Sequence, residues 1–209
     1  IWQRALECRE TMGAEIVVVD QTEIFPQIAT AVETATGIPG EPFAQGQLKS
    51  YMRTPVGYYA AQLISQAGMP CIVMGTGNFD EDGYLCYFCK AGDGIVDVQV
   101  IADLHKSEVF EVSRRLKAPE SILKAAPSAD LWEGQTDEEE LGFSYDFIEL
   151  YTEYLRYSEE DQAAFKAKCN EEAWKYFEET REEVDKVHRR NQHKLNFPVN
   201  LNILPTFAE

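Results

Sequence analysis

Basic residues are scarce in this chain, adjacent glycines are missing, and no long apolar run occurs. Lys and Arg number 19 against 36 Asp and Glu, for a formal net charge of −17. That balance excludes a general nucleic-acid surface, which needs a basic face to neutralise phosphates. An anionic ligand would have to be met by local Lys or Arg, or by a bound cation. No two glycines are adjacent, and neither a Walker loop nor a G-x-G-x-x-G turn is present, which excludes two common phosphate cradles. No apolar run is long enough to span a bilayer and no signal peptide opens the chain, so a soluble, cytoplasmic protein is expected. The 5 cysteines are an odd, scattered set, pointing to reduced thiols and away from a disulfide frame.

What is present is a chain of 209 residues with 44% hydrophobic content, enough for one large domain with a sizeable core. Short β-branched runs alternate with helical patterns. Trp2–Met12 has helical spacing and stops at Gly13. Glu15–Asp20 (EIVVVD) and Cys71–Met74 (CIVM) are expected as buried parallel strands, with a third strand at Val96–Ile101. Helices are expected over Thr22–Ala35, over Gln47–Gln66 with an interruption at Pro55, and from Lys106 to Leu116. The order predicts an α/β fold with a mainly parallel sheet, whose ligands sit beyond the strand ends. Asp20, the Gly75-Thr76-Gly77-Asn78 turn and Asp103 all follow strand candidates and point to one crevice. The last third, Ser158–Lys194, is mostly charged and is expected to form one or two long surface helices, opened by a Ser158–Asp161 capping box.

Several local patterns carry chemistry. Asn78, Asp80, Asp82 and Gly83 fit four positions of a calcium loop, but Cys89 stands where the closing Glu is required, so that loop is set aside. The Asp80-Glu81-Asp82 cluster retains the carboxylates that Mg²⁺ needs alongside substrate phosphates. Cys86-Tyr-Phe-Cys89 has no second pair or adjacent His and is read as two buried thiols. Lys90, Asp93 and Asp97 are interleaved with Gly92 and Gly94, either as a plain turn or as a loop gripping a ligand. Lys106 opens a helix, where a cation opposes the macrodipole unless it faces an anion. His188–Lys194 is a basic patch in a very acidic chain. Pro127–Tyr145 is too polar for a core element, and its chemistry suits an active-site loop.

Together, GQLKSYMRTP, MGTGNFDEDGYLCYFCKAGDGIVDV, ADLHKSEVF, APSADLWEGQTDEEELGFSYD and HKLN, in that order, make the chain resemble NAD⁺ synthetase. The resemblance implies a doubly wound, Rossmann-like α/β sheet of the ATP-pyrophosphatase type with a helical C-terminal extension, in a homodimer. It implies a ligase in which ATP, with Mg²⁺, adenylates deamido-NAD⁺ and ammonia then displaces AMP. Carried over by position, Thr76 would contact ATP, and Lys106 and Ser128 would contact ATP and serve catalysis. Glu81 would bind the metal, with Asp80 or Asp82 as alternatives. Arg53, Lys90, Asp97, His193 and Lys194 would contact deamido-NAD⁺.

The family's S-G-G-x-D-S phosphate loop has no counterpart. Residues 1–155 are therefore expected to be an α/β core lacking its first strand and that loop, and residues 156–209 the C-terminal helices and substrate-contacting tail of the same domain. The chain is expected to be a fragment, inactive alone, of a longer protein. The alternatives are another ATP-pyrophosphatase amidotransferase or a non-catalytic nucleotide-binding, dimerising relative. The nitrogen source is ammonia, or ammonia released from glutamine. Asp137–Glu140 is expected to be a solvated helix start.

Overall fold

The computed structural model describes residues 2–129, 134–196 and 198. Helices α1 (Trp2–Met12), α2 (Ile24–Thr36) and α3 (Pro42–Gln66) precede strand β1 (Met74–Asn78) and a π-helical turn, Phe79–Leu85. Strand β2 (Val98–Ile101), α4 (Lys106–Arg115), α5 (Glu120–Leu123) and α6 (Asp137–Leu141) follow, then α7 (Tyr145–Arg156), α8 (Glu159–Lys168), α9 (Glu171–Asn191) and a 3-10 turn, Gln192–Leu195. The parallel α/β character expected from the alternation is present, with a helical C-terminal part. β1 and β2 pair in parallel, Met74 opposite Val98 and Gly75 opposite Gln99, with an irregularity before Asn78 meets Ile101.

Two strand expectations are corrected. Glu15–Asp20 is not a strand, and Val17 is 82% exposed. A strand needs a neighbour for its N–H and C=O groups, and neither described strand offers it one. The second corrected segment, Cys71–Met74, reaches the sheet only at Met74; the Gly75–Asn78 segment expected as a turn is itself strand. Glycine permits this because a Cβ at Gly77 would collide with the Asp82 carboxylate, and the Gly77 N–H donates to Gln99 Oε1 at 3.1 Å.

Helix α3 begins at Pro42, which suits the first helical turn, and runs unbroken through Pro55. Proline there removes one hydrogen bond, but the neighbouring side chains are tied sideways. Ser50 donates to Asp93 Oδ2 at 3.1 Å, and Thr54 Oγ1 donates to the Ala91 and Gly92 carbonyls at 2.6 and 3.1 Å. Ser158 caps α8 as expected, accepting from the Asp161 N–H at 3.2 Å.

The main core centres on α7, and the stretch expected to be surface helix contributes Phe177 and Val184 to it. Leu85 from the π-helical turn packs with Ile148, Tyr151 and Tyr154 of α7 and Phe177 and Val184 of α9. Within the charged sequence of α9 a narrow stripe (Phe177, Thr180, Val184) is buried, which is all that an amphipathic helix needs. The strand residues Met74, Val98 and Val100 are 58, 40 and 52% exposed. The C-terminal helices thus hold the π-helical turn, and that turn holds the site.

Candidate functional site

A cavity of about 680 Å³ opens where β1 meets the π-helical turn, within the size range of small-molecule sites. Thr76, Glu81, Lys106 and Ser128 all line it, and so does Arg53. Asp20, Asp103, Lys90, Asp97, His193 and Lys194 do not line it.

π-Helical turns recur at functional sites, and here the extra residue aims carboxylates in different directions. Asn78 caps the turn by accepting from the Glu81 N–H at 3.0 Å, while its amide donates to Glu81 Oε2 at 2.5 Å. Glu81 is thereby fixed towards Lys106, with which it forms an ion pair whose side chains are 18% (Lys106) and 21% (Glu81) exposed. Asp80 is completely buried and points elsewhere, accepting from the Lys106 backbone N–H at 2.6 Å and from His105 Nδ1 at 2.7 Å. A carboxylate on the first N–H of α4 offsets the cost of a cation at a helix N-terminus. Asp80 does not line the cavity; Glu81 and Asp82 do.

The Asp82 carboxyl is pushed up to about 7, first by burial and then by the charges of Glu81 and Asp93, with Lys106 and Lys194 opposing. Glu81 and Asp82 offer the hard oxygen donors that Mg²⁺ takes, around an excess of negative charge that a cation relieves. Asp80, His105 and Glu149 also bring possible ligand atoms within 4.8 Å of one another. Both His105 nitrogens already face carboxylates, Asp80 and, at 3.3 Å, Glu153, so that cluster is a closed hydrogen-bond network.

The polar loop over the cavity is clasped at its base. Ser128 Oγ donates to the Gln135 carbonyl at 2.7 Å and the Asp137 N–H donates to the Pro127 carbonyl at 3.0 Å. Residues 130–133 of this loop lie outside the described residues. The expected solvated helix start is corrected at Asp137, which is 4% exposed. Its Oδ2 accepts from the Tyr145 hydroxyl at 3.0 Å, and burial raises its carboxyl against that hydrogen bond and the nearby Ala129 amide.

The remaining residues with an expected substrate role are engaged by their own chain. Asp97 Oδ2 accepts from the Val73 N–H at 2.7 Å and Oδ1 from the Tyr58 hydroxyl at 3.3 Å. Lys90 donates to the His193 carbonyl at 3.2 Å and to that of Asn196. His188 lies 2.5 Å from the Tyr84 carbonyl through Nδ1, Asn191 donates to Leu85 at 3.2 Å, and Lys194 to Cys86 at 3.0 Å. Three successive carbonyls at the end of the π-helical turn thus meet side chains spaced three apart along α9 and the 3-10 turn that follows it. Cys86 and Cys89 are free, buried thiols, as expected, raised above the usual thiol range by burial.

Sequence reasoning missed Asn78, His105, Asp137 and Tyr145 as site-building residues. The N-x-x-E spacing of Asn78 and Glu81 was the one available signal.

The sequence model of the NAD synthase family matches residues 2–198. The NH₃-dependent NAD⁺ synthetase of Methanococcoides burtonii is 42% identical over 145 residues, covering 69% of this chain and 52% of that protein. The enzyme of the same name from Mesoplasma florum is 34% identical over 190 residues, 91% of this chain and 67% of that protein. This chain therefore spans about half to two thirds of the length of these two relatives. The structure of NMN synthetase from Francisella tularensis superposes with a TM-score of 0.72 at 29% identity, covering 97% of this chain and 73% of that one. The structure of an NH₃-dependent NAD synthetase from Campylobacter jejuni, at 18% identity and a TM-score of 0.67, shares the fold. The chain belongs to the NAD synthase family.

Proposed function

We propose that this member of the NAD synthase family forms most of the ligase site of a cytoplasmic, homodimeric enzyme that amidates a nicotinate nucleotide at the expense of ATP, deamido-NAD⁺ being the leading substrate. The observation that carries the reading is the partly buried Lys106–Glu81 pair, set with Thr76 and Ser128 around one cavity at the end of a parallel strand. The relatives' names supply the reaction, and the cavity supplies groups that suit it.

In this reaction the nicotinate carboxylate attacks the α-phosphorus of ATP and pyrophosphate leaves. Ammonia then attacks the acyl carbon of the adenylate, AMP departs with the C–O bonding pair, and a proton is lost from nitrogen. Free ammonia is the simpler nitrogen source. Both steps build negative charge on oxygen, which preorganised cations stabilise without proton transfer. Lys106 is assigned to the phosphates, with Thr76 and the Ser128 hydroxyl positioning ATP. Glu81 is assigned as the Mg²⁺ ligand with Asp82 beside it; when bound, the ion neutralises phosphate charge. Residues 1–155 and 156–209 act as parts of one domain, because α7 and α9 share a core. The exposed valines at Val17–Val19 are assigned to contact with a further segment that carries the phosphate loop.

A second substrate, the nicotinate mononucleotide, is favoured by one observation. The solved NMN synthetase matches 97% of this chain, and Lys90, Asp97, His193 and Lys194, assigned to the dinucleotide, do not line the cavity. The test is AMP formation by the full-length protein with ammonia, ATP and Mg²⁺, comparing kcat/KM for the two nucleotides. Preference for the dinucleotide supports the leading reading, and preference for the mononucleotide replaces the substrate. AMP formation independent of both would overturn the function.

A further inference from the structure

The Lys106 ammonium rests on an aromatic face that no sequence pattern announced. Its Nζ lies 4.4 Å from the centroid of the Tyr145 ring, well within the range of a cation–π contact. Tyr145 is the first residue of α7, 4% exposed, and it is fixed at three points. Its N–H donates to Glu138 Oε1 at 2.8 Å, its hydroxyl donates to Asp137 Oδ2 at 3.0 Å, and its ring belongs to the core cluster with Leu85 and Ile148. Such a ring cannot turn away from the ammonium.

We infer that Tyr145 is the positioning residue for Lys106: its ring face and the Glu81 carboxylate together hold the ammonium at the cavity wall, and Asp137 holds the ring. A free lysine samples many rotamers, and an ammonium is a point charge whose value in a transition state depends on where it stands. Glu81 alone cannot supply that placement, because a bound cation would draw on the same carboxylate. The ring competes for no metal and carries no net charge. Its tyrosine hydroxyl donates to a buried carboxylate, which leaves the ring richer in electrons on the face that Lys106 meets.

The inference rests on Lys106 serving the phosphates, and the test separates the two ideas. In the full-length protein, pyrophosphate release is measured for wild type, Lys106→Met, Tyr145→Leu and the double variant. Tyr145→Leu is expected to lower kcat about 10- to 30-fold, the scale of a desolvated cation–π contact, with a smaller change in KM. Tyr145→Phe, which keeps the face, is expected to recover most of that loss. In the Lys106→Met background the Leu substitution is expected to cost under about twofold, because residues acting as a unit are not additive. An equal cost in both backgrounds assigns Tyr145 to core packing and overturns the inference while leaving Lys106 in place. A Lys106→Met enzyme of wild-type rate overturns the functional reading and this inference with it. Should Tyr145→Leu fail to fold, NMR decides without turnover. The Lys106 ε-methylene protons, identified by their loss in Lys106→Met, should resonate upfield of exposed lysines in wild type and Tyr145→Phe. Shifts matching the exposed lysines would remove the ring from the face of Lys106.

Discussion

Around the start of α4, Lys106 projects past Glu81 over the Tyr145 ring and lines the cavity. Around the Cys86–Asp93 loop, Lys90 and Lys194 instead donate to backbone carbonyls of their own chain. Both regions place scarce cations near acidic residues, yet only the first leaves its charge facing a ligand space. The difference lies in what satisfies each group. At α4 a carboxylate and a ring hold the ammonium without enclosing it. At the C-terminal turn, carbonyls at the negative end of a helical turn consume it. Arg53 is intermediate: it lines the cavity but pairs with Asp93 across 3.3 Å, its side chain 53% exposed, a contact weak enough for a ligand to displace.

The comparison breaks first at Lys106. Lys106→Ala in the full-length protein is expected to lower the rate of AMP formation by about 10²-fold or more, the scale of losing one transition-state charge contact. A change under about threefold would place the functional cation elsewhere. Asn78→Ala comes next. It removes both hydrogen bonds that aim Glu81, and the loss of a group that orients a metal ligand typically costs about tenfold or more in metal affinity. The Mg²⁺ dependence of turnover should shift to higher concentration by about that factor, while an unmoved titration would detach Glu81 from the metal.

Lys194→Met sharpens the contrast from the other side. Lys194 is half-buried, and burial lowers its ammonium below the usual lysine range. Its loss leaves the Cys86 carbonyl without this donor, at a cost of about 1–3 kcal/mol. Thermal unfolding should show the loss directly, and KM for the nucleotide should move less than the ninefold or so that about 1.3 kcal/mol represents. A large KM effect with an unchanged melting temperature would return Lys194 to the substrate and make the two regions alike.

The fold was legible where period and punctuation agreed: α1, α4 and the Ser158 cap follow from spacing and capping chemistry alone. Glu15–Asp20 misled because β-branched composition reports suitability for a sheet, not the presence of a partner. Helix α9 forms as the charged pattern predicts, and only a few of its residues, Phe177 and Val184 among them, reach the core. In the site, Thr76, Glu81, Lys106 and Ser128, which line one cavity, were named through the family resemblance and not from local patterns, which also had plain structural readings. Tyr145 and Asp137 were not legible. Their roles depend on α7 folding back against the π-helical turn, a contact between segments far apart in sequence. Lys194 was named from the basic patch and from the family's His-Lys pair, and nothing local announced the carbonyl it meets.

The smallest expected effect concerns the network beneath Lys106. His105 faces Asp80 through Nδ1 and Glu153 through Nε2, with Glu149 nearby and the Phe79 ring against it edge-on at 5.1 Å. Arg156, which pairs with Glu153 at 2.5 Å, is the cation on that side. Burial works to lower the imidazole, but the Asp80 and Glu153 hydrogen bonds and the Asp80 and Glu149 charges outweigh it, so the folded protein holds the proton above the ordinary value near 6.5. The folded state then binds more protons than the unfolded state above that value. This stabilisation is complete below about pH 6.5 and is lost as pH rises through the folded-state value. One proton limits the slope to about 1.4 kcal/mol per pH unit. Melting temperature should therefore fall from pH 6 towards alkaline pH in wild type, and His105→Asn should flatten that fall. Identical profiles would show a neutral imidazole between the two carboxylates. Because Asp80 also holds the first N–H of α4, a neutral His105 would leave Asp80 alone to anchor the helix that carries Lys106.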